Sequence, residues 1–387
     1  MSASRPIDLA IVGGGLAGGL IALALRARRP ELRVVVIEEA RHAGGNHVWS
    51  CFETDVAAED RWLIEPLIVH SWGGHSLRFP DQERRIGRSY ASITTERLGS
   101  VLHRAMPEGD LLFDAAATEL TPQSVTLADG RVIEANGVID ARGMGDTSPL
   151  DLGWQKFVGV SWACAQPHGL SEPIIMDATV DQLDGYRFVY TLPLSATELF
   201  IEDTYYADGA ALDEAGLSAR IADYAAAQGW AGEPRGHSET GVLPVCMGGD
   251  IGTYWDQRAP GVAKAGLNGG FFHALTGYSL PIAVRNALAI AAMRDLSGPA
   301  LHEAMRARAF AHWRGQGFYR MLATMLFRAA DPPERRRVMA RFYGLNPNLI
   351  GRFYAGQSTF FDKLRVLTGK PPVPIGRAIT ALGATHR

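Results

Sequence analysis

The sequence contains little cysteine and no long apolar run. Its three cysteines, Cys51, Cys164 and Cys246, are far apart and odd in number, which favours reduced thiols over a disulfide framework or a metal site. No apolar stretch approaches the ~20 residues that a membrane-spanning helix needs. The N-terminus lacks a positive region followed by an apolar signal core. We therefore expect a protein that is neither secreted nor membrane-spanning.

The sequence also lacks the excess of positive charge that is typical of nucleic-acid-binding proteins. The net charge is −3, and no basic reading motif is present, so we expect no nucleic-acid partner. The charge is nevertheless uneven, since residues 301–387 contain fifteen Lys and Arg against four Asp and Glu. This distribution indicates a basic C-terminal region.

The first forty residues show a strand, a glycine turn, a helix and a second strand. These features are a strand at 9–12, the glycines Gly13, Gly15 and Gly18, a helix at 16–29, and a strand at 33–37 followed by Glu38. The glycines allow a tight turn and close backbone approach, and the helix start offers N–H groups to a pyrophosphate. The carboxylate after the second strand accepts bonds from a ribose diol. The pattern predicts a Rossmann-like dinucleotide-binding unit.

Two later segments indicate FAD rather than NAD. Together with "RHAGGNHVW" after the second strand, the unit resembles the FAD-binding half of the flavoprotein hydroxylases and reductases. A strand at 137–140 places Asp140, Arg142 and Gly143 at its carboxyl edge, where α/β sheets receive ligands. Arg142 and Arg41 are candidate contacts to the flavin or its phosphates, or else ordinary surface arginines.

The second of these segments is "HALTGYSLP", which runs into a helix from about residue 281. The resemblance places this loop at the flavin ring and diphosphate. It implies that Thr276, Gly277 and Tyr278 bind the cofactor. Backbone N–H groups of residues 276–279 are expected to face the N1–C2=O edge of the flavin. The alternative is a glycine-rich connection before an ordinary helix.

An apparent β-hairpin lies in the middle of the chain, at residues 185–194 and 198–206. Its second strand, "ELFIEDTYY", contains adjacent acids, and side chains alternate between the faces of a strand. Glu202 therefore lies on the face of Phe200, Thr204 and Tyr206, whereas Asp203 points the other way. The two carboxylates cannot share one proton across one substrate atom.

In this order, "GGGLAGG", "VIDARG", the acidic hairpin, "ETGVLPVCMGGD" and "HALTGYSLP" resemble segments of the bacterial lycopene β-cyclases. The resemblance implies conversion of lycopene through γ-carotene to β-carotene, without net redox change but with reduced FAD. Such an enzyme is an isomerase, or intramolecular lyase, for which NADPH serves only to keep the flavin reduced. The resemblance also implies a cytoplasmic protein held peripherally at the inner face of the cell membrane.

Cyclisation of a polyene end requires an acid, a dry pocket and a base. The resemblance makes Glu202 the acid, and burial would keep such a carboxyl group protonated. Asp203 is expected to accept hydrogen bonds that hold the segment, or to lie on a solvated face. Glu239 is a second candidate, as the base or as a support for the pocket. Tyr186, Phe188 and Tyr190 are expected on one strand face, as cation–π partners or as core.

The expected fold is α/β, a Rossmann-like FAD-binding domain of the glutathione-reductase and hydroxylase type. Residues 1–150 and 237–298 form this discontinuous domain, an antiparallel-sheet substrate domain is inserted at 151–236, and residues 299–387 form a basic helical region. An apolar stripe in that region is predicted to dock on a membrane or to pack on the enzyme itself; it comprises Trp313, Phe318, Met321, Leu322, Met325 and Leu326. A flavin-dependent reductase or hydroxylase is the alternative function. The oligomeric state stays open.

Overall fold

The computed structural model describes residues 5–183, 185–369, 376–377 and 380–381. The strands of this part of the chain are, in order, β1 Ile7–Val12, β2 Val34–Ile37, β3 Val48–Phe52, β4 Ile68–Trp72, β5 His75–Phe79, β6 Gln82–Ile86, β7 Tyr90–Thr94, β8 Leu111–Leu112, β9 Ala117–Leu120, β10 Ser124–Leu127, β11 Val132–Asp140, β12 Leu150–Cys164, β13 Ile174–Asp177, β14 Tyr186–Pro193, β15 Glu198–Ala207, β16 Gly232–Gly249 and β17 Ala263–Lys264.

The helices of the same residues are α1 Leu16–Arg28, α2 Thr95–Ala105, α3 Glu214–Ala227, α4 Ile251–Asp256, α5 Leu280–Ala291, α6 Gly298–Gly315, α7 Gly317–Thr324, α8 Arg335–Tyr343, α9 Pro347–Tyr354 and α10 Phe360–Leu367. The rest of the predicted C-terminal region, at 370–375, 378–379 and 382–387, lies outside the described residues.

The first sheet has the order β8-β2-β1-β11-β10-β9, with β17 paired to β11. Strands β2, β1 and β11 are parallel neighbours, and β2 is buried along its whole length. A parallel strand covered on both faces needs apolar side chains on each, which is why β2 reads Val-Val-Val-Ile. This sheet, with helices packed against it, confirms the predicted α/β class.

The predicted glycine turn joins β1 to α1. Gly13 has φ +106°, a backbone conformation that other L-residues rarely adopt. A Cβ on Gly18 would lie 2.0 Å from the carbonyl oxygen of Gly13, so α1 packs on the turn only with glycine there. Buried side chains of α1, such as Leu20 and Leu25, belong to a hydrophobic core that also contains side chains of α5.

The second sheet has the order β16-β12-β15-β14-β13-β5-β6. Its β14 and β15 form the predicted hairpin, with Tyr190 opposite Glu202. The sheet is larger than the predicted insertion, because β5, β6 and the end of β16 belong to it. The boundaries 1–150, 151–236 and 237–298 thus do not follow sheet membership. Strand pairing over such sequence separations leaves no local signal in the chain.

The face of the second sheet that carries Asp203 is covered by α3. Asp203 is fully buried, and its carboxylate accepts hydrogen bonds from the guanidinium of Arg187, with Nε 3.0 Å from both oxygens. Apolar side chains of β12, β15 and α3 surround the pair. The expectation of a solvated face is therefore wrong, and Asp203 accepts hydrogen bonds instead; that these bonds hold the segment stays a prediction.

The C-terminal helices pack on the opposite face of this sheet, the face of Glu202. Leu326 is 3% exposed, and Trp313, Phe318 and Leu322 pack against the same core. The guanidinium of Arg320 lies 4.0 Å from the centroid of the Trp313 ring. Much of the stripe proposed to dock on a membrane is thus packed on the protein itself, with arginine lying along its edge.

We predict that the Arg187–Asp203 pair couples β14 to β15 energetically. Asp203→Ala leaves a buried guanidinium without its carboxylate and should lower the free energy of unfolding by about 3–5 kcal/mol. Urea unfolding would measure this loss. The double variant Asp203→Leu/Arg187→Met should lose less free energy of unfolding than the two single variants lose in sum. Strictly additive losses would show that the pair is not coupled.

Candidate active site

A cavity of about 440 Å³ lies between the carboxyl ends of the parallel strands of the first sheet and the Glu202 face of the second sheet. It brings together residues of the glycine turn, the segment before and within β3, the strands β12 to β16 and the loop before α5. Among the lining residues are Gly15, Gly45, His47, Trp49, Arg142, Gly143, Phe157, Phe188, Tyr190, Glu202, Glu239, Thr276, Gly277 and Tyr278. Residues predicted for cofactor binding and for catalysis therefore share one space.

The glycine turn opens into this cavity. A Cβ on Gly15 would meet no atom within 4 Å, so the space above the turn is free for a ligand. Helix α1 begins there without a side-chain cap, and its first N–H groups are open to an anion. Behind the turn, the carboxylate of Glu38 accepts hydrogen bonds from the N–H groups of Gly14 at 2.6 Å and Ala40 at 2.9 Å. The arrangement fits a dinucleotide.

Asp140 and Arg142 form one unit at the end of β11. Asp140 is fully buried, and Arg142 donates to both of its oxygens at 2.8 Å. Arg142 and Gly143 line the cavity, whereas Asp140 orients the arginine from behind. Arg41 does not line the cavity: its side chain is 89% exposed and lies 3.8 Å from Asp114. The structure thus gives Arg41 the position of a surface arginine.

The loop before α5 lines the cavity as predicted, but its N–H groups do not all face it. Those of Thr276 and Gly277 donate to the carbonyl of His273, at 3.3 and 2.9 Å. The expectation that they point towards a flavin edge is therefore wrong. The hydroxyl of Tyr278 donates to the Asp55 carboxylate at 2.7 Å and fixes the loop against the segment after β3.

Strand pairing places the two candidate catalytic acids in one row. Gly159 of β12 lies opposite Glu202 of β15 on one side and opposite Glu239 of β16 on the other. Directly opposed residues share a sheet face, so both carboxylates face the cavity. Their backbones are two strand spacings apart, about 10 Å. Glu239 lies within a long strand, β16.

Glycine at the middle of this row makes room for an aromatic ring. A Cβ on Gly159 would lie 2.4 Å from the Phe200 ring, and one on Gly241 would lie 2.1 Å from the Phe157 ring. Both rings therefore reach over these glycines, on the sheet face that carries the two carboxylates. Of the two rings, that of Phe157 lines the cavity and gives it an apolar, electron-rich surface there.

Glu202 sits in surroundings that disfavour its charged form. Burial raises the pKa of Glu202 to about 8, and the negative charge of Glu239 adds to the shift. A hydrogen bond from the hydroxyl of Thr204, at 2.5 Å, opposes it. At neutral pH Glu202 is thus mainly a carboxylic acid that faces the cavity and can donate a proton.

Glu239 has the opposite environment. Burial raises its pKa, but His237, His47 and the N–H of Val48 outweigh this effect, and the pKa ends below its usual value. The Val48 N–H donates to Oε2 at 2.6 Å, and His237 Nε2 lies 3.5 Å from the same oxygen. Two carboxyl groups of one cavity therefore differ in protonation, which is the arrangement of an acid and a base.

Aromatic side chains form the walls around the acids. Phe188 and Tyr190 line the cavity next to Glu202, as their alternation predicted. Tyr190 shares hydrogen bonds with Ser50 at 2.6 Å and with Tyr90 at 3.1 Å. Tyr186 is buried, with its hydroxyl 2.7 Å from the sulfur of Met176, and belongs to the core.

Sequence reasoning missed three residues of the site, which are His47, His237 and Gly159. His237 stands two residues before Glu239, a spacing that places both on one strand face. That spacing was a usable signal once residues 232–249 were taken as a strand. His47 lies in the "GGNHVW" segment, but its approach to Glu239 comes from the tertiary fold alone. Gly159 has no local signal at all.

The family model and the relatives found by comparison with known proteins share one description. A model of the family described as "Lycopene cyclase protein" matches residues 8–380. The chain is 48% identical to a lycopene beta-cyclase of Pantoea ananas over 98% of this chain and 99% of that protein. It is 44% identical to a lycopene beta-cyclase of a Paracoccus strain, with 97% of both chains covered.

Solved structures share the fold at low sequence identity. A geranylgeranyl bacteriochlorophyll reductase-like protein from Thermoplasma acidophilum aligns with a TM-score of 0.63 at 13% identity, covering 98% of this chain and 99% of that one. A flavin-dependent halogenase from Xanthomonas campestris aligns at 0.58 and 12% identity, covering 98% and 94%. These structures share the overall fold of this chain. With a family match over nearly all of its length, this chain belongs to the lycopene cyclase family.

Proposed function

We propose that this protein is a lycopene β-cyclase that converts lycopene through γ-carotene to β-carotene with no net redox change. The relatives named above support the substrate. The observation that carries the proposal is the pair of acids, since Glu202 is held protonated and Glu239 ionised in one aromatic cavity. A reductase or hydroxylase on this scaffold would have no need for such a pair.

We propose FAD as the cofactor of this cavity. The open turn at Gly15 and the start of α1 would hold its diphosphate, and Glu38 would bind the ribose. Arg142 and the loop around Gly277 would border the ring system. When bound in its reduced form, FAD supplies a negatively charged surface beside a developing cation, and NADPH would serve as its indirect reductant.

The reaction starts with proton donation by Glu202 to C2 of the terminal C1=C2 bond. The C5=C6 bond attacks the tertiary cation at C1, and positive charge moves to C5. Aromatic rings such as Tyr190 and Phe188 stabilise the cation by their π faces and exclude water. Loss of the proton from C6 completes the β-ring, with Glu239 as the acceptor.

We further propose that the protein acts at the inner, cytoplasmic face of the cell membrane, from which it takes its insoluble substrate. No helix of the described residues is long and apolar enough to cross a bilayer. Helix α10 instead exposes large apolar side chains, Phe360 at 74%, Phe361 at 78%, and Leu364 and Leu367 at 48% each. Lys363 and Arg365 lie between them, as in helices that rest in an anionic interface.

Glu202→Gln should abolish ring formation and leave flavin binding intact, because glutamine has nearly the same shape but no acidic proton. We expect β-carotene formation from lycopene with chemically reduced FAD to fall about 10²–10⁴-fold. The measurement is anaerobic incubation followed by chromatography. Glu198→Gln, at an exposed glutamate of the same strand, is the matched control. A near-normal rate in the Glu202→Gln enzyme would place the proton donor elsewhere.

The raised pKa of Glu202 predicts that the rate of cyclisation in the same assay depends on pH. Because the pKa of Glu202 is raised to about 8, its acid form is present below that pH and is lost as the pH rises through it. The initial rate of cyclisation should be half-maximal near pH 8 and fall about tenfold for each further pH unit. A rate that stays constant across the neutral and alkaline range would contradict the assignment.

Replacing Phe360 and Phe361 by serine should weaken binding to vesicles that contain anionic lipids. Since burying a phenylalanine is worth about 1.5–3 kcal/mol, the double variant should bind at least about tenfold less. Flotation measures the bound fraction. Val132→Ser, at an exposed apolar residue of β11, is the control. Undiminished flotation of the double variant would exclude α10 as the membrane contact.

A further inference from the structure

Glu239 is a carboxylate buried inside a strand. It is 2% exposed and lies in the middle of β16, where an ionised group requires partners. The backbone N–H of Val48 supplies one hydrogen bond at 2.6 Å. A single neutral donor compensates only part of the cost of burying a charge.

Two imidazole rings approach the same carboxylate oxygen from different elements. His237 Nε2, on β16 itself, lies 3.5 Å from Oε2, and His47 Nδ1, from the segment before β3, lies 3.7 Å away. The other ring nitrogen of His237 lies 3.5 Å from the carboxylate of Glu96 on α2. His237 therefore stands between two carboxylates, one buried and one exposed.

The other titratable groups described around Glu239 are acids and a phenol, and they supply no positive charge. Glu202 faces it across Gly159 on the same sheet face, and Tyr190 lies opposite Glu202 on β14. Asp203 lies on the other face and is neutralised by Arg187. The groups that favour an ionised Glu239 are thus the two histidines and the N–H of Val48.

We propose that His237 and His47 are positioning residues that hold Glu239 as a carboxylate, ready to accept the proton lost from C6. This inference rests on the proposed cyclase function. The C6–H bond breaks, its electron pair becomes the C5=C6 double bond of the ring, and the proton forms a carboxylic acid on Glu239. That proton leaves to water before the next ring is made.

The test is the acidic side of the pH profile of kcat for β-carotene formation. The low pKa of Glu239 keeps this limb below the ordinary range of glutamate in the native enzyme. His237→Gln removes the charge, so burial should dominate and move the limb upward by at least about one pH unit, about a tenfold loss of kcat on that limb. His237→Lys keeps a positive charge and should restore the limb. His103→Gln, at an exposed histidine of α2, is the control.

The inference is overturned if a folded, flavin-binding His237→Gln enzyme keeps the native acidic limb, or if His237→Lys behaves like His237→Gln. A merely structural role would lower stability without moving the limb, which thermal melting separates. His47→Gln, at a side chain 40% exposed, provides a second variant whose folding does not depend on a buried ring. Failure of the native enzyme to form β-carotene would instead refute the proposed function itself.

Discussion

The chemistry proposed for the cavity depends on keeping one of its carboxyl groups protonated and another ionised. Burial alone would raise the pKa of both, and their mutual repulsion would oppose ionisation of either one. The second sheet gives the two groups different neighbours: Glu202 lies among aromatic rings and Glu239 among histidines, on either side of Gly159. The partners of the two carboxyl groups thus separate the proposed acid from the proposed base.

The rest of the fold closes the cavity around that pair. The first sheet brings the glycine turn and the end of β11 to one side, and the loop before α5 is tied to the segment after β3 through Tyr278 and Asp55. The C-terminal helices cover the aromatic face of the second sheet. Some of their arginines take part in this packing, so the basic charge of the region serves the protein's own core as well as its surface.

Because side chains alternate along a strand, Asp203 has different surroundings from its neighbour Glu202. One step along β15 from Glu202, it points to the opposite face and is paired with Arg187 under α3. A buried ion pair of this kind adds little net stability compared with apolar packing, and here it joins β14 to β15 in the register of the hairpin. That register is what sets Tyr190 opposite Glu202.

By itself the sequence determined the βαβ unit, the hairpin and the alternation that sets Glu202 apart from Asp203, because these depend on residues close together in the chain. It also indicated the strand end at Asp140 and a helix from about residue 281. Only the tertiary structure decided that Glu202 and Glu239 share one row, that β5 and β6 join the second sheet, and that Arg41 stays at the surface. Such contacts depend on strand pairing between distant segments, and no local pattern records which strands will meet.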